Sequence, residues 1–264
     1  AVATERAVAG NPITITFTAK LNEKAVVGSM GNSNKVKLEY SNNPNDDGNG
    51  NPPTGETPED EVLVFTYGLN PTKVDANDTE KELKDAEFHL SRKITDEEGN
   101  KVTVWAVVDA TSNKITGWVK AEVGATGYVA ADAEGNLNGV AYAGSTLKSD
   151  EQGLFTVLGL DAGTYELLET KAPAGYNTPA TPFTVTIKST LVPADKGGKS
   201  KPTYKDLSAE ITINNNTANF TEGKDNNGVL EGKITNASGA TLPETGGTGT
   251  TIFYVVGGLL TVGA

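Results

Sequence analysis

Three short stretches hold residue types that could do chemistry. The first is "YELLET" (165–170). Strand alternation puts Tyr165, Leu167 and Glu169 on one face. A carboxylate among apolar neighbours is costly unless it is neutralised or paired. At a strand end it can equally be solvated or salt-bridged, and spacing alone leaves both open. The second is "LPETGG" (242–247), in which Pro243 stiffens an extended segment. A Gly/Thr spacer then leads into the apolar run 252–264. Without that context the motif reads as an ordinary loop. The third is "NPNDDGNGN" (43–51), oxygen-rich like a calcium loop. Its twelfth position, counted from Asn43, is Thr54 rather than Glu, so no metal is expected there. There is no Ser/His/Asp set, phosphate-cradling loop or zinc spacing, and no cofactor is expected. The single histidine, His89, alternates away from Phe88 and Leu90 and is expected to be exposed and idle. Trp105 and Trp118 read as packed or partly exposed strand residues.

The totals narrow the classes further. The chain has 264 residues, 22 Lys and Arg against 34 Asp and Glu, and a formal net charge of −12. That balance argues against nucleic acid, which is bound with clustered cations. The absence of Cys removes disulfides, thiol catalysis and cysteine metal sites together. An exported protein of this composition would need another kind of crosslink. No initiator Met or signal segment opens the chain. The closing apolar run is shorter than the about 20 residues a membrane-spanning helix needs. Both ends are therefore read as truncations of a longer precursor.

The elements that must position these residues are strands. "ITITFTA" (13–19) alternates, with Ile13, Ile15 and Phe17 on one face. "NKVKLEY" (34–40) alternates too, which places Asn34, Val36, Leu38 and Tyr40 together on an expected inward face. The polar loop 42–60 has almost nothing to bury, and "EVLVFTYGL" (61–69) reads as one strand. After an expected boundary near residue 70 come strands at 86–94, with Phe88 and Leu90 inward, then 102–108, 114–119, 153–160 and 164–170. Those at 183–189, 210–214 and 229–236 follow. Turn signals separate them and no long amphipathic helix is found, so the fold class is all-β, a β-sandwich.

Two of the three chemical stretches resemble parts of one known family. "LPETGG" before an apolar tail resembles the cell-wall sorting signal of Gram-positive surface proteins. "YELLETKAPAGY" (165–176) closely resembles the E-box of Gram-positive major pilins through Tyr165, Leu167, Glu169, Thr170, Ala172, Pro173, Gly175 and Tyr176. In that family the E-box lies in a Cna B-type immunoglobulin-like domain. "TKVD" (72–75) looks like its first strand and "GKITN" (232–236) like its last. The resemblance implies an intramolecular isopeptide bond with Lys73 as amine donor, Asn236 as acceptor and Glu169 as promoter. Asn214, on the "EITIN" strand, is a rival acceptor. "GNSNKVKLEYSNNP" (31–44) is similar to the end of the pilin middle domain, with Asn34, or else Asn43, as acceptor for a lysine upstream.

The implied organisation has three parts. Residues 1–70 would end an immunoglobulin-like middle domain, and 71–240 would form the Cna B-type domain with an insertion near 191–228. Residues 241–264 would hold the sorting signal and a truncated membrane segment. A sortase would cut between Thr245 and Gly246 of the motif Leu242, Pro243, Glu244, Thr245, Gly246. The implied partners are that sortase, neighbouring pilin subunits, and cell-wall peptidoglycan or its precursor, at the cell surface. The implied function is a pilus shaft subunit that is not a turnover enzyme. The alternative is a wall-anchored adhesin or minor pilin that binds a host ligand. The chemistry needs these residue types. Burial lowers a lysine pKa and frees a neutral amine, while burial raises a glutamate pKa and keeps a carboxyl that can polarise the Asn carbonyl.

Overall fold

The computed structural model describes residues 16, 19–22, 24–42, 54–121, 142–195, 201–224 and 228–238. The strand expected at 13–19 lies largely outside them. So do Asn43, most of the 42–60 loop and residues 242–246 of the sorting motif. Among the described residues the chain forms strands and no helix, as the turn-rich pattern predicts.

The first strands form two short ribbons. β1 (Asn32–Val36) pairs with β4 (Asp60–Val64), and β2 (Glu39–Ser41) with β3 (Thr54–Glu56), both antiparallel. Here the structure corrects an expectation. Val36 and Leu38 are 65% and 62% exposed, and Tyr40, Val62 and Val64 are also exposed. Asn34 sits opposite Val62 and is exposed with it. A two-stranded ribbon has no second layer of its own to bury a face against. Alternation therefore marks two different sides here without making either one internal.

The strand expected at 61–69 is two strands. β4 ends at Val64, and β5 (Tyr67–Asp75) begins beyond Phe65 and Thr66. The break is built by a crossing segment: Thr66 Oγ1 donates to the Val26 carbonyl at 3.0 Å, and Gly28 N–H donates to the Thr66 carbonyl at 2.9 Å. The boundary expected at residue 70 consequently falls inside β5.

The remaining strands are β6 (Glu87–Thr95), β7 (Lys101–Val108), β8 (Ile115–Val119), β9 (Leu147–Lys148) and β10 (Val157–Leu160). They continue with β11 (Gly163–Lys171), β12 (Phe183–Val192), β13 (Thr203–Ile213), β14 (Asn216–Glu222) and β15 (Val229–Asn236). All join one sheet in the order β10-β5-β15-β14-β13-β12-β11-β6-β7-β8, with β9 on β6. A bridge between Lys114 and Leu158 brings its two ends together. The sheet thus curls over a single core that includes Tyr67, Leu69, Phe88, Leu90, Tyr165, Leu167, Val185, Ile211, Phe220 and Leu230. This is the immunoglobulin-like all-β sandwich that the sequence predicts.

Two features matter for the site. Every strand pair in this sheet is antiparallel except β5 with β15, which run parallel from Val229 opposite Gly68 to Asn236 opposite Asp75. The first and last strands of the sandwich are therefore neighbours along their whole shared length. The stretch 191–228 supplies the far part of β12 and the β13–β14 hairpin, which lie between β12 and β15. Asn214 and Asn215 form its turn with φ of 47° and 66°, the left-handed pair that a tight hairpin requires. Asn214 is exposed at that turn, whereas Glu169 is buried.

Candidate functional site

Lys73, Glu169 and Asn236 meet inside the sandwich. They are 0%, 1% and 4% exposed. Lys73 Nζ lies 2.8 Å from Glu169 Oε2, and Asn236 Nδ2 donates to Glu169 Oε1 at 2.9 Å. One carboxyl group therefore holds an amine with one oxygen and an amide with the other.

Each residue arrives from a different strand for a local reason. On β5 both faces are covered, so Lys73 and Asp75 are buried beside Tyr67, Leu69 and Val74. Lys73 N–H donates to the Gly153 carbonyl, and the Lys73 carbonyl accepts from Leu83 N–H, both at 2.8 Å. Gly153 has φ +72°, and a Cβ there would stand 2.5 Å from the Lys73 carbonyl oxygen. Only glycine permits that approach. On β11, Tyr165 anchors the strand: its hydroxyl donates to the Asp161 carboxylate and accepts Asp161 N–H at 3.1 Å. Alternation carries this register through Leu167 to Glu169, which sits opposite Phe88 of β6 just before a bulge at Lys171. β11 is not a neighbour of β5 or β15 in the sheet order, so Glu169 reaches its partners across the core. On β15, Ile234 and Asn236 share the inward face.

The surroundings are dry and aromatic. Lys73 Nζ lies 5.3 Å from the Phe88 ring centroid and 5.2 Å from that of Phe183. Burial pushes the Lys73 ammonium below the ordinary lysine value, against the pull of Glu169. Burial pushes Glu169 above the usual carboxylate range, against the Lys73 charge and the hydrogen bonds from Lys73 and Asn236. Both shifts favour moving the proton from nitrogen to oxygen, which leaves a neutral amine beside a neutral acid. The Asn236 amide presents its nitrogen to Glu169. Turned end for end it would present its carbonyl instead, so a protonated Glu169 can serve either the leaving nitrogen or the carbonyl.

Other expected residues stand elsewhere. His89 is buried rather than exposed. Its Nδ1 faces the Ala143 carbonyl and its Nε2 faces Thr146 Oγ1, both at 3.3 Å, and its ring packs against Tyr142 and Trp105. The segment 142–148 covers the second face of β6, which alternation counted as open. Trp105 is buried, and Trp118 stacks on Tyr165 under the Arg92 guanidinium. Gly153, Phe183 and Asp75 also shape the site without having been singled out in the sequence. For Gly153 the available signal was the turn "DEQG" (150–153), where Asp150 Oδ1 accepts from Gln152 and Leu154 N–H.

The family described as the SpaA prealbumin-like fold domain matches residues 68–198. That span begins with β5 and contains Lys73 and Glu169. The match covers just under half of the chain. The match stops before β13, and the structure shows the same sheet carried on through the β13–β14 hairpin to β15 and Asn236. Across 95% of its length the chain is 28% identical to the trypsin-resistant surface T6 protein of Streptococcus pyogenes serotype M6, and it spans 46% of that protein. The T6 backbone pilin structure from the same serotype aligns at 19% identity and TM-score 0.39 over 83% of this chain and 46% of that one. A C-terminal fragment of the major pilin GBS80 of Streptococcus agalactiae aligns at 28% identity and TM-score 0.39, over 63% and 48%. With the match to the SpaA prealbumin-like family and the similarity to the T6 protein, the resemblance to Gram-positive backbone pilins read from the E-box stands.

Proposed function

We propose that the chain is the C-terminal part of a pilus shaft subunit, locked by an isopeptide bond between Lys73 and Asn236. The observation that carries this reading is the single buried carboxyl of Glu169 bridging both groups, on first and last strands that run parallel side by side. The proton of the Lys73 ammonium passes to Glu169. The neutral amine attacks Cγ of Asn236, and the C–N bond to the amide nitrogen breaks. Glu169 gives its proton to the departing ammonia and takes one from the Lys73 nitrogen, so it ends as the neutral acid beside the new amide. The reaction occurs once per molecule and is not turnover catalysis. Tension that enters β5 then leaves through β15 across a covalent bond, with the hydrophobic core outside the load path. In this reading a sortase joins the Thr245 carbonyl of the Leu242–Gly246 motif to an amine of the next subunit or of a peptidoglycan precursor. The product is a polymer covalently anchored to a Gram-positive cell wall.

The test is the intact mass of the purified 264-residue chain and of its Glu169→Ala variant. The expected result is a wild-type mass short by one ammonia and a variant of full mass. A wild type of full mass, or a variant equally short, overturns the reading.

A further inference from the structure

Asn236 is the last residue of β15, and a strand end frays unless something holds it. β14 cannot, because it pairs with β15 only at Glu231 and Leu230. On the other side Ala76, just beyond the end of β5, donates its N–H to the Asn236 carbonyl at 2.9 Å. The edge left open by β14 is met by the turn at 173–177. Tyr176 forms an antiparallel bridge with Ser238, and Asn177 N–H donates to the Ala237 carbonyl at 3.4 Å. The turn is closed by Tyr176 N–H donating to the Pro173 carbonyl at 3.0 Å. From it the Tyr176 hydroxyl donates to Asp75 Oδ2 at 2.7 Å. Asp75 is the β5 residue directly opposite Asn236. Its other oxygen accepts Asn77 N–H at 2.8 Å. Lys81 Nζ completes the group, 3.4 Å from Asp75 Oδ2 and 5.5 Å over the Tyr176 ring.

We propose that Tyr176 and Asp75 are positioning residues for the Lys73–Asn236 condensation, a strut that clamps the end of β15 so that the Asn236 amide stays against Glu169 and Lys73. The inference rests on the isopeptide reading above. Lys73 and Glu169 each lie two residues inside the end of their strand. Asn236 alone among the three is terminal, so its placement depends on what grips the chain at 236–238. Attack needs the amine and the amide carbon within about 3–3.5 Å, and a misplacement of about 1 Å costs roughly 100-fold. Tyr176 and Asp75 reach this geometry through the backbone of β15 and the turn, by a charge-assisted hydrogen bond that spans 101 positions of sequence. Asp75 stays ionised to make it, because the Tyr176 hydrogen bond and then the Asn77 amide hold its carboxyl below the usual range.

The test follows ammonia loss in time. The full chain is made by cell-free translation, sampled, quenched and weighed intact. Tyr176→Phe, which removes one oxygen, is expected to condense about tenfold more slowly than wild type, as loss of a hydrogen bond to a charged group implies. Asp75→Ala is expected to match it, and the double variant to be no slower than the slower single, because both remove one shared bond. Asp75→Asn keeps an acceptor and is expected to recover most of the rate. The pH profile of each variant should keep the wild-type shape, since the reacting groups are untouched. Equal rates for wild type and Tyr176→Phe, or multiplying effects in the double variant, overturn the inference and leave the isopeptide reading standing. A wild type that never loses ammonia removes both. Should Asp75→Ala fail to fold, Tyr176→Phe against wild type still decides.

Discussion

The β1–β4 ribbon and the β5–β15 sandwich place their residues in opposite ways. The ribbon turns Val36, Val62 and Val64 outward, and exposed salt bridges beside it join Lys35 to Glu59 and Lys37 to Glu56. The sandwich buries Lys73, Glu169, Asn236, Asp75 and His89 among aromatic and aliphatic side chains. Exposed ion pairs of the ribbon kind contribute about 0–1 kcal/mol. The buried set is different, because an ionisable group withdrawn from water must find a partner or change its protonation state. The contrast teaches where the chain's chemistry is concentrated. Inside the sandwich one carboxyl partners both Lys73 and Asn236, and Asp75 and His89 have partners of their own, whereas the apolar face of the ribbon has no layer above it among the described residues.

The largest effect expected from breaking this contrast follows Lys73→Ala. It removes the proposed covalent link and leaves Glu169 without its amine. By analogy with disulfides, closing a loop of this span is worth about 5 kcal/mol. The expected outcome is a fall of that order in unfolding free energy, read as a lower guanidinium midpoint, with rapid proteolysis of a sandwich that resists in the wild type. An unchanged midpoint would show that no crosslink had been there to lose.

A smaller effect is expected from Gly153→Ala. The new methyl would meet the Lys73 carbonyl oxygen at 2.5 Å, at a backbone φ of +72°. The strain is about 1–3 kcal/mol. It falls on the β5 backbone at the reacting lysine, so slower ammonia loss should accompany the lower midpoint. A variant as stable and as fast as wild type would mean that the 150–153 turn does not hold Lys73.

His89 separates the two regions by pH. Burial pushes its pKa down, opposed by the Ala143 carbonyl and the Glu87 carboxylate. The unfolded chain then binds a proton that the native chain refuses. Stability from this residue is complete above the free imidazole pKa of about 6.5 and is lost as pH falls below it, by at most about 1.4 kcal/mol per pH unit. Denaturant midpoints between pH 7 and 5 should fall in the wild type and fall less in His89→Gln. Parallel curves would place the titration elsewhere.

These residues also show what the sequence could carry. Alternation located β6, β7, β11, β12 and β15 well, because apolar side chains recur at alternate positions along part of each. It failed for His89 because a strand covered on both faces has no outward side. On β5 the same double coverage hides Lys73, which no periodicity identifies as internal; its assignment came from resemblance. The β13–β14 hairpin was only partly legible. Its Asn214–Asn215 turn and the lone Phe220 of β14 are weak signals inside a polar stretch. The Asp75–Tyr176 strut has no local signature, since its members meet only after β5 and the 173–177 turn have been brought together.

The ribbon should give the smallest response, and it tests the other half of the contrast. Val36 and Val62 project from one side of the β1–β4 pair and are exposed. Exchanging both for Thr keeps the β-branched shape that strands favour and removes no buried apolar area. Substitutions of that kind usually move stability by less than about 0.5 kcal/mol. The 264-residue chain carrying Val36→Thr and Val62→Thr is therefore expected to unfold at the wild-type midpoint and to lose ammonia at the wild-type rate. A large loss of stability would mean that these valines are covered in solution by another part of the chain. The ribbon would then be one layer of a second core, and its uncovered face would no longer distinguish it from the sandwich.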